Sequence, residues 1–310
     1  MIVDVHCHLY DRTVPSKAYW NAFVKLTAML SGRPEERVWE KAPGWWDLSG
    51  DMLVGDMDEA GIDKAVILPL DALLLTDPDE SIILEQLTKI FVDAARRHPD
   101  RLIPFVGIDP RRRGAAKFLE KAVKEYGVKG LKLHPAFGFY PNDRYCYLLY
   151  EKAEELNIPV LVHTGPEIQS MYSSYSRPVY LDDVANDFPD LKLILAHAGS
   201  AWFEEAIGVA NNKLNIYLDV SWWQPRLLQN PIEEFYKPLR RLTDAVGSQK
   251  VLFGSDWPGF RLLRRLPHKA WVKAFTEIPP EVAEAGINFK EEEIENIMGR
   301  NAARLLKLTE

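Results

Sequence analysis

The chain has 310 residues, a net charge of −7, 47% hydrophobic and 27% charged residues, the composition of an ordinary globular protein. At this length roughly three quarters of the unfolded surface can be buried, and the acidic balance argues against a nucleic-acid partner, which needs a basic face. No run reaches the roughly 18 to 20 apolar residues of a membrane span, and the apolar start is broken by Asp4, His6 and His8 without a basic leader, so neither a membrane partner nor a signal peptide is expected. Two cysteines, Cys7 and Cys146, form no disulfide framework and predict a reduced, cytoplasmic chain.

Short β-rich apolar runs recur along the chain. In order they are IVDVHCH (2–8), AVILPL (65–70), LIPFVGI (102–108), GVKGLKLHP (127–135), IPVLVHTG (158–165), LKLILAHAG (191–199), NIYLDVS (215–221) and VLFGSDWP (251–258). Most are apolar on both alternating faces, the mark of parallel strands covered by helices. In the first, a period of two predicts Asp4, His6 and His8 on one face and Val3, Val5 and Cys7 on the other. Helical apolar stripes fill the gaps at 81–98, 115–126, 145–156 and 232–246, with Gly127 as a helix C-cap and Pro231 just before a helix start. Eight βα units predict an α/β fold of the (β/α)8 TIM-barrel type, a single domain over 1–310.

Three connections are longer than a barrel needs. Residues 10–50 form an insertion after the first strand and hold Tyr19, Trp20, Phe23, Trp39, Trp45 and Trp46. Residues 166–181 and 221–231 carry MYSSYSRPVY and SWWQPRLLQNP. All leave C-terminal strand ends, where barrel enzymes build their active sites, so they are expected to wall or cover a cavity.

Five of the seven histidines fall at those same ends: His6 and His8, His134, His163 and His197, with Asp256 closing the eighth strand. His98 and His268 read as surface residues, and Arg111, Arg112 and Arg113 as a solvated run. Neutral imidazole nitrogen and carboxylate oxygen suit a divalent ion, and three protein ligands leave an open position. His6, His8, His163 and Asp256 would surround one ion, Zn2+ first and Mn2+ or Fe2+ as alternatives. Asp219 would orient a ligand histidine from behind. Arg177 and Arg226 would hold a substrate carboxylate. Lys132 and His134 share a face; Lys132 would pair with Asp4 or a substrate carboxylate, and His134 would contact substrate.

H-x-H on the first strand, VHTG on the fifth, LAHAG on the sixth, FGSDWP on the eighth and the closing NIMGRNAARLL (296–306) resemble the amidohydrolase superfamily. They are most similar to its amidohydrolase-related branch, which includes aminocarboxymuconate-semialdehyde and γ-resorcylate decarboxylases. The resemblance implies a metal at His6, His8, His163 and Asp256, with His197 as a further ligand or as the group activating water, and Asp256 shuttling a proton. It also implies a homodimer, and it leaves open a carboxylated Lys132 bridging two ions. The first reading is therefore a metal-dependent hydrolase of a small, planar, acidic molecule, with an amide, lactone or related bond. The second is a non-oxidative decarboxylase on the same site, and the third a binding protein stapled by its metal.

Overall fold

The computed structural model describes residues 1–72, 83–228, 231–259, 261 and 266–308. Its strands, all parallel, are β1 (Val3–Cys7), β2 (Lys64–Ile67), β3 (Leu102–Pro104, continued as Val106–Gly107), β4 (Leu131–Leu133), β5 (Val160–Val162), β6 (Leu193–Leu195), β7 (Ile216–Asp219) and β8 (Val251–Leu252). Each pairs with the next, and β3 is carried across its interruption by Phe105 N donating to Ile67 O (3.1 Å) on one side and Val106 N donating to Gly130 O (3.0 Å) on the other. The ring closes where Val5 N donates to Phe253 O (3.0 Å), Asp256 N to His6 O (2.8 Å) and His8 N to Trp257 O (2.7 Å). A TIM barrel results, as expected.

Helices at Asp51–Ala60, Leu84–Arg97, Ala115–Tyr126, Arg144–Glu155, Tyr180–Asp187, Phe203–Asn211 and Glu233–Val246 cover the outside. Four of them, Leu84–Arg97, Ala115–Tyr126, Arg144–Glu155 and Glu233–Val246, follow the predicted stripes within a few residues, although positions 81–82 lie outside the described residues. Gly127 caps its helix at φ 76°, its N–H returned to Ala122 O, a conformation glycine adopts without steric penalty. No helix among the described residues is long and apolar enough to cross a membrane.

Alternation splits the strands between two apolar layers. Val66, Leu68, Ile103, Phe105, Leu161, Ile194 and Leu252 fill the barrel, while Ala65, Ile67, Leu131, Leu133, Val160, Val162, Leu193 and Leu195 pack under the helices. The same period turns Lys132 and His134, His163 and Asp219 inward, because they continue the inner rows.

β1 departs from the strict period. Val3 and Val5 join the barrel interior and Cys7 the outer layer, so the expected grouping of Asp4, His6 and His8 opposite all three fails. The register against β2 runs Asp4↔Ala65 and then Cys7↔Ile67. Three steps on one strand match two on the other, a β-bulge that changes which face the chain presents. Beyond the bulge His6 and His8 meet the residues of the cavity. Asp4 instead accepts from His6 N and Ser255 N, both at 3.0 Å, and lies 3.3 Å from His268 Nε2. His268 is thus buried, contrary to the surface expectation, and Asp4 is not the partner of Lys132.

The 10–50 insertion folds into helices Lys17–Ser31 and Glu35–Trp39 and a short turn Ala42–Trp45. Ser16 caps the first by accepting from Tyr19 N at 3.2 Å. Its inner face sets Tyr19, Trp20 and Phe23 together, and Trp20 stacks on Trp45 with ring centroids 6.3 Å apart. Rings of this size bury much apolar area with little conformational freedom lost.

Candidate active site

At the C-terminal ends of the strands lies a cavity of about 250 Å³. Its aromatic side comes from Tyr10, Tyr19, Trp20, Phe23, Trp45 and Trp222, and its polar floor from His8, His134, His163, His197, Glu167 and Asp256. The five rim histidines form one continuous arc. Ring centroids are 5.1 Å apart for His6–His8, 4.8 Å for His6–His197, 5.0 Å for His163–His197 and 4.3 Å for His134–His163.

Three atoms converge at one end of the arc. His6 Nε2 is 3.2 Å from His8 Nε2, and Asp256 Oδ1 is 3.6 Å and 3.3 Å from them. Behind them the other ring nitrogens are occupied: His6 Nδ1 lies 3.0 Å from Asp219 Oδ2, and His8 Nδ1 lies 2.7 Å from Leu68 O. Both partners only accept, so neutral rings carry their protons at Nδ1 and aim lone pairs from Nε2 at each other and at a carboxylate. Three electron-rich atoms facing one another fit a cation between them. Asp219 thus takes the orienting place expected of it.

His163 stands apart from this trio. Its Nδ1 faces His197 Nε2 at 3.3 Å, and its Nε2 lies 3.2 Å from Glu167 Oε1, which is also 3.1 Å from His134 Nε2. Among the described residues, the groups of three whose ligand atoms lie within 4.8 Å of one another are His6–His8–Asp256, His6–His197–Asp219 and His134–His163–Glu167. His163 was expected in the first of these and falls in the third.

His197 sits in an unusual backbone. His197, Ala198, Gly199 and Ser200 have φ of 57°, 44°, 76° and 50°. Left-handed residues in series are strained for all but glycine. Asp219 Oδ1 accepts from His197 N (3.0 Å), and Trp223 Nε1 donates to His197 O (2.9 Å), so the bend is gripped on both sides. Ser221 Oγ, 2.8 Å from His197 Nδ1 and 3.1 Å from His6 Nδ1, links the two rings. Asp256 is itself left-handed at φ 57°.

Burial, reinforced by the charge of Lys132, pushes the pKa of His6 well below its ordinary value, and burial does the same to His134 and His163, so these imidazoles are neutral. Burial would raise Asp256, but the hydrogen bond with His8 and the neighbouring His6 and His197 hold it below the usual carboxylate range. Lys132, buried 3.4 Å from His6 Nε2, is pushed down to about 8 by desolvation, against the pull of Asp219, Asp256 and Glu167. Desolvation raises Tyr10 and Tyr19, which remain phenols.

The two loop arginines are not brought to the cavity. Arg177 pairs with Glu205 on the surface and lies over Trp202 (5.7 Å to the ring centre). Arg226 packs 5.0 Å from the centre of the Trp223 ring. Their long side chains follow the nearest carboxylate and aromatic face, which loop position in a sequence does not disclose. Arg111 and Arg112 pair with the buried Asp109 and Asp71, so that run is only partly solvated. Sequence reading missed Glu167, Tyr10 and Ser221. A signal for Glu167 existed in HTGPE, four residues past His163, where Gly165 at φ 140° lets the chain turn back.

An amidohydrolase family model matches residues 3–308. The chain belongs to the amidohydrolase family. The chain is 28% identical over 166 residues to a 2-keto-4-carboxy-3-hexenedioate hydratase of Sphingobium, a stretch covering 46% of this chain and 47% of the relative, so the match spans about half of the relative's length. Three solved barrels share the fold over 99% of this chain. One is an uncharacterised TIM-barrel protein of Bordetella bronchiseptica (TM-score 0.71, 23% identity, 98% of that chain). Another is the 5-carboxyvanillate decarboxylase of Sphingomonas paucimobilis (0.70, 16%, 99%). The third is a manganese-bound 5-carboxyvanillate decarboxylase of Novosphingobium aromaticivorans (0.67, 15%, 97%).

Proposed function

We propose that this amidohydrolase-family chain works as one barrel, with 10–50 as the cavity wall, and is a metal-dependent hydrolase of a small planar molecule. The observation that carries this reading is the convergence of two imidazole lone pairs and a carboxylate oxygen within 3.2–3.6 Å at the cavity floor. His6, His8 and Asp256 would hold one divalent ion, with His163 as fourth ligand through Nδ1; Zn2+ is favoured by the nitrogen-rich donors, with Mn2+ and Fe2+ as alternatives. The ion supplies Lewis acidity toward a substrate oxygen or a water. His197, at the centre of the arc, holds or delivers a proton at Nε2, and Asp256 accepts one at the oxygen not facing the histidines. Tyr10 and Tyr19 offer phenol donors, and His134 with Glu167 bounds the far side. The aromatic rings stack on the substrate and exclude water. A volume of about 250 Å³ admits roughly one substituted ring.

Decarboxylation on the same residues is the second reading, favoured by that aromatic wall: taking a carboxylate out of water into an apolar cavity raises its ground state relative to a charge-dispersed transition state. Among the described residues no Lys or Arg lines the cavity, which weakens the acidic-substrate expectation placed on Lys132, Arg177 and Arg226. Zn2+- and Mn2+-restored protein, incubated in 18O-labelled water with lactones, anilides and hydroxybenzoic acids, separates the two. Label in the product supports the hydrolase. Carbon dioxide release with no label in the organic product supports the decarboxylase, and turnover by metal-stripped protein sinks both.

A further inference from the structure

We propose that Glu167 is a positioning residue that fixes which nitrogen of His163 carries the proton, and so which one is free to bind a cation. The inference rests on the reading of His163 as a metal ligand and adds to it a second residue, from the loop after β5, that the reading does not require.

The two nitrogens of His163 face different neighbours. Nδ1 looks along the arc to His197 Nε2 at 3.3 Å, toward the His6–His8–Asp256 end. Nε2 looks the other way, to Glu167 Oε1 at 3.2 Å. That nitrogen is buried and finds no in-line hydrogen-bond partner, the carboxylate oxygen beside it lying off the N–H direction. A buried imidazole nitrogen needs a partner, and a carboxylate can only accept. The proton therefore belongs on Nε2, beside Glu167, and the lone pair on Nδ1. The other tautomer would set a bare nitrogen against a carboxylate oxygen and turn the Nδ1 proton toward His197 Nε2, leaving no lone pair on the arc side of the ring.

The same division governs the other two rings with a different acceptor each: Asp219 for His6 and Leu68 O for His8. In each ring the outer nitrogen meets an acceptor and the inner one faces the cavity floor. Glu167 is built for this work. Its own Oε2 accepts from Ile168 N at 3.1 Å, and its backbone N donates to Ser173 Oγ at 2.9 Å, so the carboxylate is pinned by its loop. Its Oε1 also meets His134 Nε2 at 3.1 Å, and His134 stacks on His163 with the planes 12° apart. One oxygen thus meets two stacked rings, of which His163 is the one that touches His197.

The test compares Glu167→Ala, which removes the acceptor, with Glu167→Gln, whose amide oxygen can still accept. Two readouts are taken, with thermal melting as the check of folding. In metal-free protein labelled with 15N-histidine, two-bond 1H–15N correlations report tautomers directly. The wild type and Glu167→Gln are expected to show His163 as the Nε2–H form and Glu167→Ala a mixture. Calorimetric titration with Zn2+ is expected to give one equivalent for all three, with Kd about 10- to 100-fold weaker for Glu167→Ala, the size of effect outer-shell partners have, and near wild type for Glu167→Gln. An unchanged tautomer and Kd in Glu167→Ala overturns the proposal. So does a second equivalent of Zn2+ in the wild type that Glu167→Ala loses, because the carboxylate would then be a ligand of its own cation. Wild-type protein that binds no Zn2+ defeats the metal reading instead, and the nitrogen spectra still decide the role of Glu167.

Discussion

Asp219→Asn is the substitution in which shape is kept and one proton is moved. Asp219 is fully buried; its Oδ1 accepts from His197 N (3.0 Å), Ser221 N (3.0 Å) and the Ser221 hydroxyl, and its Oδ2 faces His6 Nδ1 at 3.0 Å. Asparagine can keep its oxygen on the three donors only by turning its amide NH2 to His6. His6 then accepts at Nδ1 and carries its proton at Nε2, pointing at His8 and Asp256. To bind a cation the ring must take the proton back and leave two donors facing each other in a buried site, worth about 1–3 kcal/mol. At tenfold per about 1.4 kcal/mol, metal affinity should fall by roughly 10- to 100-fold. Folding should barely change, because every donor retains an acceptor. For 310 residues an unfolding entropy of about 0.65 kcal/mol/K makes 1 kcal/mol worth only about 1.5 °C of Tm. Asp219→Ala is the contrast: it strands all of these donors, at about 1 kcal/mol or more each, and should lower Tm by ~6 °C. Zinc titration calorimetry beside thermal melting reads both quantities. An asparagine variant that binds Zn2+ as tightly as wild type would refute the tautomer argument.

Further tests probe other parts of the site. In Gly254→Ala the new methyl would sit 3.1 Å from both His6 Cβ and Ser221 Cβ, so His6 must shift and metal affinity should drop by about tenfold; unchanged affinity would mean the ring tolerates displacement. His197→Ala should cut turnover by roughly 10²–10⁴-fold while elemental analysis finds the metal retained, and equal loss of both would make His197 a ligand. Arg177→Ala should leave turnover and KM within about twofold, because the arginine is spent on an exposed pair with Glu205, which contributes little; a large KM increase would restore its substrate role. Asp51 is held down to about 2 by hydrogen bonds from Arg97, with His98 and Ser49 adding to it. A depressed folded pKa stabilises above the unfolded value of about 3.9 and loses that contribution as pH falls toward 2. Asp51→Asn should therefore melt below wild type at pH 7 and converge with it near pH 2.

Reading alternation and spacing was enough to place the eight strands and the rim histidines, because parallel strands buried on both faces write continuous apolar runs and the residue ending each run marks the active face. It was not enough for the arginines. Arg177 and Arg226 lie in the loops where a substrate clamp would be sought, yet a flexible guanidinium goes to whatever acceptor or ring folding brings near. His268 looked exposed in LPHKA for the same reason, since its partner Asp4 is 264 residues away.

Strand period and motif order were fixed by local chemistry, so the barrel, the covering insertion and the candidate ligand types follow from the chain read end to end. Which nitrogen of each histidine is free follows from partners on other strands: Asp219 for His6, Leu68 for His8. The bulge in β1 that turns His6 inward, and the loop that returns Glu167 beside His163 and His134, exist only through pairing and packing across the closed barrel. Proton placement is a property of three-dimensional neighbours, and no one-dimensional pattern carries it.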